Sequence, residues 1–132
     1  MTSIELAPFL MFTGQAEEAL ARYVSVLPNS KIVSMVHWNA NESGEVGKVK
    51  LAEADFAGVR VKLSDSPPVH KFTFTPSLSL FVTCNEEESF NSIVEKLGEG
   101  GSMLMPPNNY GFSKRFCWLN DQFGVSWQIN LT

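Results

Sequence analysis

The sequence contains few of the features that would indicate a function directly. Only two cysteines, Cys84 and Cys117, occur among 132 residues, which fits reduced thiols in a cytoplasm better than a disulfide framework. Lys and Arg number 10 against 14 Asp and Glu, and this net charge of −4 argues against non-specific nucleic-acid binding, which needs a basic surface. No apolar run approaches the roughly 20 residues that cross a bilayer.

The amino-terminal residues also lack the basic and apolar regions of a signal peptide. We therefore expect a cytoplasmic protein that has neither a membrane nor a nucleic-acid partner. With 44% hydrophobic and 18% charged residues in 132, the chain is expected to form a single domain, 1–132, with a core of its own.

An internal repeat is the most informative pattern in the chain. One apolar helical stripe occurs twice, 70 positions apart, at Leu20, Tyr23, Val24 and Leu27 and again at Phe90, Ile93, Val94 and Leu97. The turn and alternating strand of residues 55–63 recur 66 positions later, at 121–129. This order, repeated, predicts two copies of one structural module.

Each module is predicted to hold a strand, a helix and three more strands. In module 1 (about 5–65) strands are expected at 7–12, 31–38, 48–55 and 59–63, around a helix at 16–27. A proline-rich linker at about 66–76 contains Pro67, Pro68 and Pro76. In module 2 (about 77–132) strands are expected at 77–83, 102–105, 114–120 and 125–131, a loop at 106–111, and a helix capped by Asn85 with Glu88.

Three segments carry a family resemblance: 8–20 (PFLMFTGQAEEAL), 61–65 (VKLSD) and 119–129 (LNDQFGVSWQI). They resemble the PhnB-like branch of the vicinal-oxygen-chelate superfamily, which includes glyoxalase I, bleomycin-resistance proteins and extradiol dioxygenases. Some members of this branch carry the label 3-demethylubiquinone 3-methyltransferase. The resemblance implies an α+β fold of two βαβββ modules, whose curled sheets form a cup with helices outside and the ligand within.

Strand alternation predicts which side chains line that cup. A large apolar face must be buried against the helices, so the last strand should turn Ser126, Gln128 and Asn130 inwards, and the repeat gives Arg60, Lys62 and Ser64 the same orientation. Leu78, Leu80 and Val82 should face the helix of module 2. The pocket candidates are Phe9, Met11, Arg60, Lys62, Ser79, Phe81, Tyr110 and Gln128. Alternatively, these residues fill the inner face of a sheet or a dimer seam.

The resemblance also implies where a metal would bind. In the metal-using relatives His and Glu come from the first and last strands of each module, and the matching positions here are Phe9 or Met11, Lys62, Ser77 or Ser79, and Gln128. Phenylalanine offers no donor, methionine only a soft thioether, and lysine has the wrong charge. We therefore expect no metal, no cofactor and no catalytic residue.

Other reactive side chains receive ordinary interpretations. His37 and His70 are expected to be ordinary surface or partly buried histidines. Asp55, on the same strand face as Glu53, is expected to serve the turn that follows it. Cys84 precedes a helix, whose dipole could lower the thiol pKa, but a buried thiol is favoured, and Cys117 is expected in the core. No glycine-rich loop that would cradle a nucleoside cofactor supports the methyltransferase label.

Two classes of function remain open. The first is a metal-free small-molecule binding protein, in which Phe9, Phe81 and Tyr110 hold a planar ligand while Arg60 and Lys62 attract an anionic group. The alternative is a metal-dependent glyoxalase-type lyase or isomerase, or an extradiol-type dioxygenase. A homodimer is expected in either case, because superfamily members often complete their cups across a two-fold axis or by exchanging modules.

Overall fold

Two α-helices and eight β-strands make up the fold of the computed structural model, which describes residues 3–67 and 69–132. The chain divides into unit 1, residues 1–71, and unit 2, residues 72–132. Each unit runs strand, helix and three strands, so the predicted α+β repeat of two βαβββ modules is confirmed. Pro68, expected in the linker, lies outside the described residues, and the formation of one domain by both units stays a prediction.

Unit 1 is a four-stranded mixed sheet with one helix packed on it. Its elements are β1 (Phe9–Phe12), α1 (Ala16–Val26), β2 (Lys31–His37), β3 (Val49–Phe56) and β4 (Val59–Asp65). The strand order is β1-β4-β3-β2, with β1 parallel to β4 and the other pairs antiparallel. Of the predicted stripe, Leu20 and Tyr23 are buried in α1, Val24 is half-buried, and Leu27 is buried at the C-cap. Tyr23 meets the ring of Phe56 edge-on at 5.7 Å between centroids.

Unit 2 repeats this arrangement. Its elements are β5 (Leu80–Cys84), α2 (Glu87–Gly98), β6 (Ser102–Asn108), β7 (Arg115–Asn120) and β8 (Ser126–Leu131), in the order β5-β8-β7-β6 with β5 parallel to β8. The predicted stripe of α2 is buried in full: Phe90, Ile93, Val94 and Leu97. No helix among residues 3–67 and 69–132 is long and apolar enough to cross a membrane.

Two expectations for the start of unit 2 are wrong. Leu78 was expected to face the helix, but β5 begins only at Leu80, and Leu78 is 74% exposed in a turn where its N–H donates to the Thr75 carbonyl. Asn85 does not cap α2, because the helix starts later and Glu86 occupies the cap position without a side-chain hydrogen bond. Glu87 and Glu88 still place negative charge at the positive end of the helix dipole.

The loop expected at 106–111 starts later than predicted, because β6 continues through Pro106 and Pro107 to Asn108. β6 is an edge strand, and its pairing with β7 is irregular between Met105 and Asn108. Proline is tolerated at such a position because its missing N–H removes no ladder hydrogen bond. The proline pair was therefore compatible with a strand.

A buried carboxylate joins three parts of unit 1. Asp65, 3% exposed at the end of β4, accepts hydrogen bonds at Oδ1 from the N–H groups of Gly14 (2.8 Å) and Ala16 (3.0 Å). Its Oδ2 accepts from the N–H of Val49 at 3.0 Å. One side chain thus fixes the β1–α1 turn, the first turn of α1 and the first residue of β3.

We expect Asp65→Asn to destabilise unit 1 by about 3 kcal/mol, because the amide nitrogen would place a donor against at least one of these buried N–H groups. Urea denaturation measures the free energy of unfolding. Asp55→Asn is the matched control on the same sheet, where a partly exposed ion pair is lost and a change below about 1 kcal/mol is expected. Equal effects of the two substitutions would contradict the role assigned to Asp65.

Candidate functional site

The predicted pocket residues form two groups, one on each unit. In unit 1, Phe9 and Lys62 are paired neighbours on the parallel strands β1 and β4. Their chain neighbours Leu10, Val61 and Leu63 are buried in the core, so Phe9, Met11, Arg60 and Lys62 lie on the sheet face opposite α1. In unit 2, Phe81 and Gln128 are the corresponding paired neighbours on β5 and β8. The shared concavity of Lys62 and Gln128 stays a prediction.

The cations of the unit 1 face are paired with carboxylates. Arg60 Nε donates to Asp55 Oδ1 at 2.8 Å, and its Nη1 lies 3.4 Å from Glu53 Oε2. Lys62 Nζ lies 3.4 Å from the other carboxylate oxygen of Glu53. The hydrogen bond to Asp55 raises the pKa of the Arg60 guanidinium. Two cations and two anions cancel, so this face does not offer an anionic ligand the net positive charge that was expected.

Asp55 was expected to serve the turn that follows it, and this is wrong. The β3–β4 hairpin is tight, with Phe56 paired to Val59 and both turn residues at positive φ (Ala57 +50°, Gly58 +91°), so Asp55 stays in the ladder and binds Arg60. Its counterpart in the repeat, Asp121, does serve a turn. There the regular ladder ends at Asn120 and Ser126, and Asp121 Oδ1 accepts the N–H groups of residues 123 and 125.

Unit 2 has an aromatic cluster on the face opposite α2. The ring of Phe116, on β7, is 4% exposed and has three aromatic neighbours: Phe112 at 5.0 Å and Phe81 and Tyr110 at 6.2 Å between centroids. Phe81 and Phe112 are themselves about 60% exposed. The Tyr110 hydroxyl donates to the Pro106 carbonyl at 2.6 Å. The cluster therefore presents ring surface to solvent.

A polar network lies beside this cluster. Ser126 Oγ accepts the indole N–H of Trp118 at 2.9 Å and lies 2.7 Å from Ser79 Oγ, which in turn accepts Gln128 Nε2 at 3.2 Å. Asn120, paired with Ser126 in the ladder, has a buried Oδ1 without a hydrogen-bond partner among the described residues. Ser79 and Gln128, both predicted site residues, are thus brought into direct contact.

Phe112, Phe116 and Trp118 belong to this face but were not singled out in the sequence. The alternation of side chains along β7 was enough to predict Phe116 and Trp118. They are paired with Asn130 and Gln128, both of which were predicted to face the cup. Phe112 lies in the loop after β6, where no periodicity applies. It is recognisable only once the fold brings its ring to Phe116.

The residues at the metal-ligand positions of the superfamily do not fit a divalent cation. Lys62 carries positive charge, Phe9 has no donor, and Gln128 uses its amide nitrogen on Ser79. Among residues 3–67 and 69–132 there is no group of three or more His, Cys, Asp and Glu side chains that could hold an ion. His37 Nε2 lies 2.7 Å from Glu17 Oε1, and His70 Nε2 lies 3.2 Å from Ser66 Oγ.

Both cysteines are free and buried, as expected. Burial raises the pKa of the Cys84 thiol, which is the effect opposite to activation by a helix dipole. Burial likewise raises the pKa of Cys117 to about 11. Its thiol is fully buried and donates to the Met103 sulfur at 3.5 Å. Both thiols are protonated at neutral pH.

Unit 1 contains a cavity that no sequence pattern indicated. It has a volume of about 390 Å³ and lies between the β1–α1 turn and loop 43–48, lined by Thr13, Ser43, Glu45, Lys48, Asp65 and Ser66 among others. Gly44 in this loop lies against the Trp38 ring, where a Cβ would come within 2.0 Å of a ring carbon. The lining carries charges of both signs, so the cavity favours no ligand charge.

Comparison with known proteins gives the family. A family model described as 3-demethylubiquinone-9 3-methyltransferase matches residues 4–130. The chain belongs to this family. The PhnB protein of Bacillus cereus is 44% identical to it over 98% of this chain and 100% of that one, with a TM-score of 0.94. The PhnB-like resemblance of the three sequence segments is therefore confirmed.

More distant structures share the fold alone. The glyoxylase/bleomycin resistance protein/dioxygenase domain of Frankia is 12% identical over 99% of this chain and 98% of that one, with a TM-score of 0.65. The fosfomycin resistance protein FosX of Listeria monocytogenes, described in complex with Mn(II), is 11% identical over 100% of this chain and 94% of that one. Its TM-score is also 0.65. No significant match was found among curated proteins.

We expect elemental analysis of protein purified without chelator or affinity-tag metal to find well under one Zn, Ni, Mn or Fe per chain. The reason is the donor set: a lysine ammonium and a phenyl ring cannot ligate a divalent ion at neutral pH. Inductively coupled plasma mass spectrometry measures this stoichiometry. Metal that survives dialysis at one ion per chain would contradict the expectation.

Proposed function

We propose that this protein binds a small molecule without the help of a metal, through the sheet face of unit 2 that carries the aromatic cluster. The observation that supports this most directly is the juxtaposition of exposed rings and a defined polar network. Phe81 and Phe112 leave apolar ring surface open to solvent, and the network of Ser79, Ser126 and Gln128 lies beside it. Ligand sites combine apolar walls with a few positioned polar groups in this way.

The enzymatic alternative, a glyoxalase-type lyase or isomerase or an extradiol-type dioxygenase, has less support. Glyoxalase chemistry requires a Lewis acid for the developing enediolate, and ring cleavage requires iron with open coordination positions. The side chains at the superfamily ligand positions supply neither. The methyltransferase name of the family is not accompanied by a glycine-rich strand-to-helix turn that would hold a nucleoside cofactor.

We also propose a homodimer in the cytoplasm. β2 and β6 each form one of the two edges of their sheets, and they expose apolar side chains: Ile32, Val33, Val36, Met103 and Leu104. Such strands pair readily with another chain unless charge or proline blocks them, and β2 contains no proline. Both cysteines are free thiols, which fits a reducing compartment.

Binding is tested by titrating ¹⁵N-labelled protein with 2-naphthol, a neutral planar probe. We expect saturable shift changes centred on Phe81, Phe116 and Trp118, and Phe81→Ala should weaken the Kd about three- to tenfold, because one aromatic contact is worth about 0.5–1.5 kcal/mol. Phe72→Ala is the matched control, since Phe72 is similarly exposed but lies before β5. Absence of saturable binding on this face would rule the proposal out.

The oligomeric state is tested by size-exclusion chromatography with light scattering at micromolar concentration. A homodimer has twice the chain mass of 14.6 kDa. We expect Val33→Lys to shift the equilibrium towards monomer if β2 is the paired edge, and Leu104→Lys to do so if β6 is. A monomer mass for the unsubstituted protein would contradict the proposed dimer.

A further inference from the structure

We propose that the unit 2 face selects neutral aromatic ligands that bear a hydroxyl group, and that Gln128 determines this selectivity. The inference rests on the proposed function and adds the chemical class of the ligand. It differs from the expectation of an anionic ligand, which depended on Arg60 and Lys62. It follows from the positions of the aromatic rings and from the hydrogen-bond donors and acceptors of Ser79, Ser126 and Gln128. Some of these are paired within the network, and others remain available to a ligand.

The rings define where a planar ligand can lie. In the sheet order β5-β8-β7, Gln128 on β8 is directly paired with Phe81 on one side and with Trp118 on the other. Neighbouring strands are about 4.8 Å apart, so the backbones that carry the two rings are separated by roughly 10 Å. The Phe81 ring is 59% exposed, so a flat ligand can stack on its open face next to Gln128.

Two hydrogen-bond donors of this face are already paired within the polar network. The Trp118 indole N–H is given to Ser126, and one amide N–H of Gln128 is given to Ser79. This second bond also fixes the amide plane of Gln128. The carbonyl oxygen Oε1 therefore points away from Ser79 and has no hydrogen bond among the described residues. It is an acceptor held between two aromatic side chains.

The two serine hydroxyl groups also provide one hydrogen-bond donor for a ligand. One of the two serines must donate across the 2.7 Å contact between Ser79 and Ser126. We assign the donor role to Ser126, which is only 1% exposed, because a buried hydroxyl proton without an acceptor would cost about 1–3 kcal/mol. The proton of the half-buried Ser79 is then left to donate to a ligand.

The face thus offers one acceptor, Gln128 Oε1, next to one donor, the Ser79 hydroxyl. A phenolic or alcoholic hydroxyl matches both, since it donates to the first and accepts from the second. An ether can only accept, so it leaves Gln128 Oε1 without a partner. A carboxylate brings two acceptors and a negative charge to a carbonyl oxygen, with no cation of this network to balance it.

The test compares three probes that share one ring system: 2-naphthol, 2-methoxynaphthalene and 2-naphthoate, with Kd values from NMR titration. We expect the unsubstituted protein to bind 2-naphthol about three- to tenfold more tightly than the ether, the range of one net hydrogen bond, and 2-naphthoate most weakly. Gln128→Leu should remove the preference for the hydroxyl while leaving the Kd for the ether within about twofold. Gln122→Leu, at an exposed position in the β7–β8 turn, is the matched control.

A second variant covers the case in which Gln128→Leu does not fold. Ser79→Ala removes the hydroxyl donor and releases the Gln128 amide. It should therefore also reduce the difference in Kd between 2-naphthol and 2-methoxynaphthalene. Equal binding of the three probes, tightest binding of 2-naphthoate, or a preference that survives in these variants would overturn the selectivity and leave the binding function intact. No binding of any probe would instead overturn the proposed function itself, and the selectivity with it.

Discussion

The carboxylate of Asp65 is the constraint on which the rest of unit 1 depends. Parallel pairing of β1 with β4 requires a long connection between them, and here it runs through α1, β2 and β3. This connection must begin with a sharp change of direction after β1, which exposes backbone N–H groups at Gly14 and Ala16 that no ladder can satisfy. Because Asp65 ends the strand paired with β1, its two oxygens reach these groups and the start of β3 together. The Asp65 carboxylate thus connects the β1–α1 turn to the ends of the ladders that β1 and β3 form with β4.

The two units share one backbone topology, but the chemistry of their sheet faces differs. Lys62 and Gln128 occupy the same position, each paired with an aromatic residue of the parallel strand, Phe9 or Phe81. In unit 1 the neighbouring strand β3 supplies both Glu53 and Asp55, so the face is a balanced set of ion pairs. In unit 2 the equivalent neighbourhood contains serine, tryptophan and phenylalanine, and the same geometry holds a polar network beside exposed rings.

The fold could be predicted because burial imposes a period on the sequence: 3.6 residues in α1 and α2 and two residues in β4 and β8. In turns and loops burial does not decide the backbone conformation, so hydrophobic periodicity cannot predict the structure there. Leu78 was misplaced because an apolar residue in a turn resembles the start of an alternating strand. The pairing of Asp55 with Arg60 and the contact of Phe112 with Phe116 depend on side chains that meet only after the chain has folded. Strand alternation therefore predicts Ser79, Phe81 and Gln128 and is sufficient to find Phe116 and Trp118. It cannot predict Phe112 or the ion pair of Asp55 with Arg60.

The register of the parallel pairs determines which two side chains can contact one ligand on each sheet face. In each unit it places one side chain of the first strand directly beside one side chain of the last. Two such neighbours approach closely enough to share an ion if they are histidine and carboxylate, or to flank a ring if they are aromatic and amide. Backbone hydrogen bonds set this spacing independently of the side chains. A lysine at one of these positions adds a cost that hydrogen bonding cannot remove, since a divalent cation would be repelled at about the distance of a ligand bond. The chemistry at these few positions, and not the fold, decides what the face can hold.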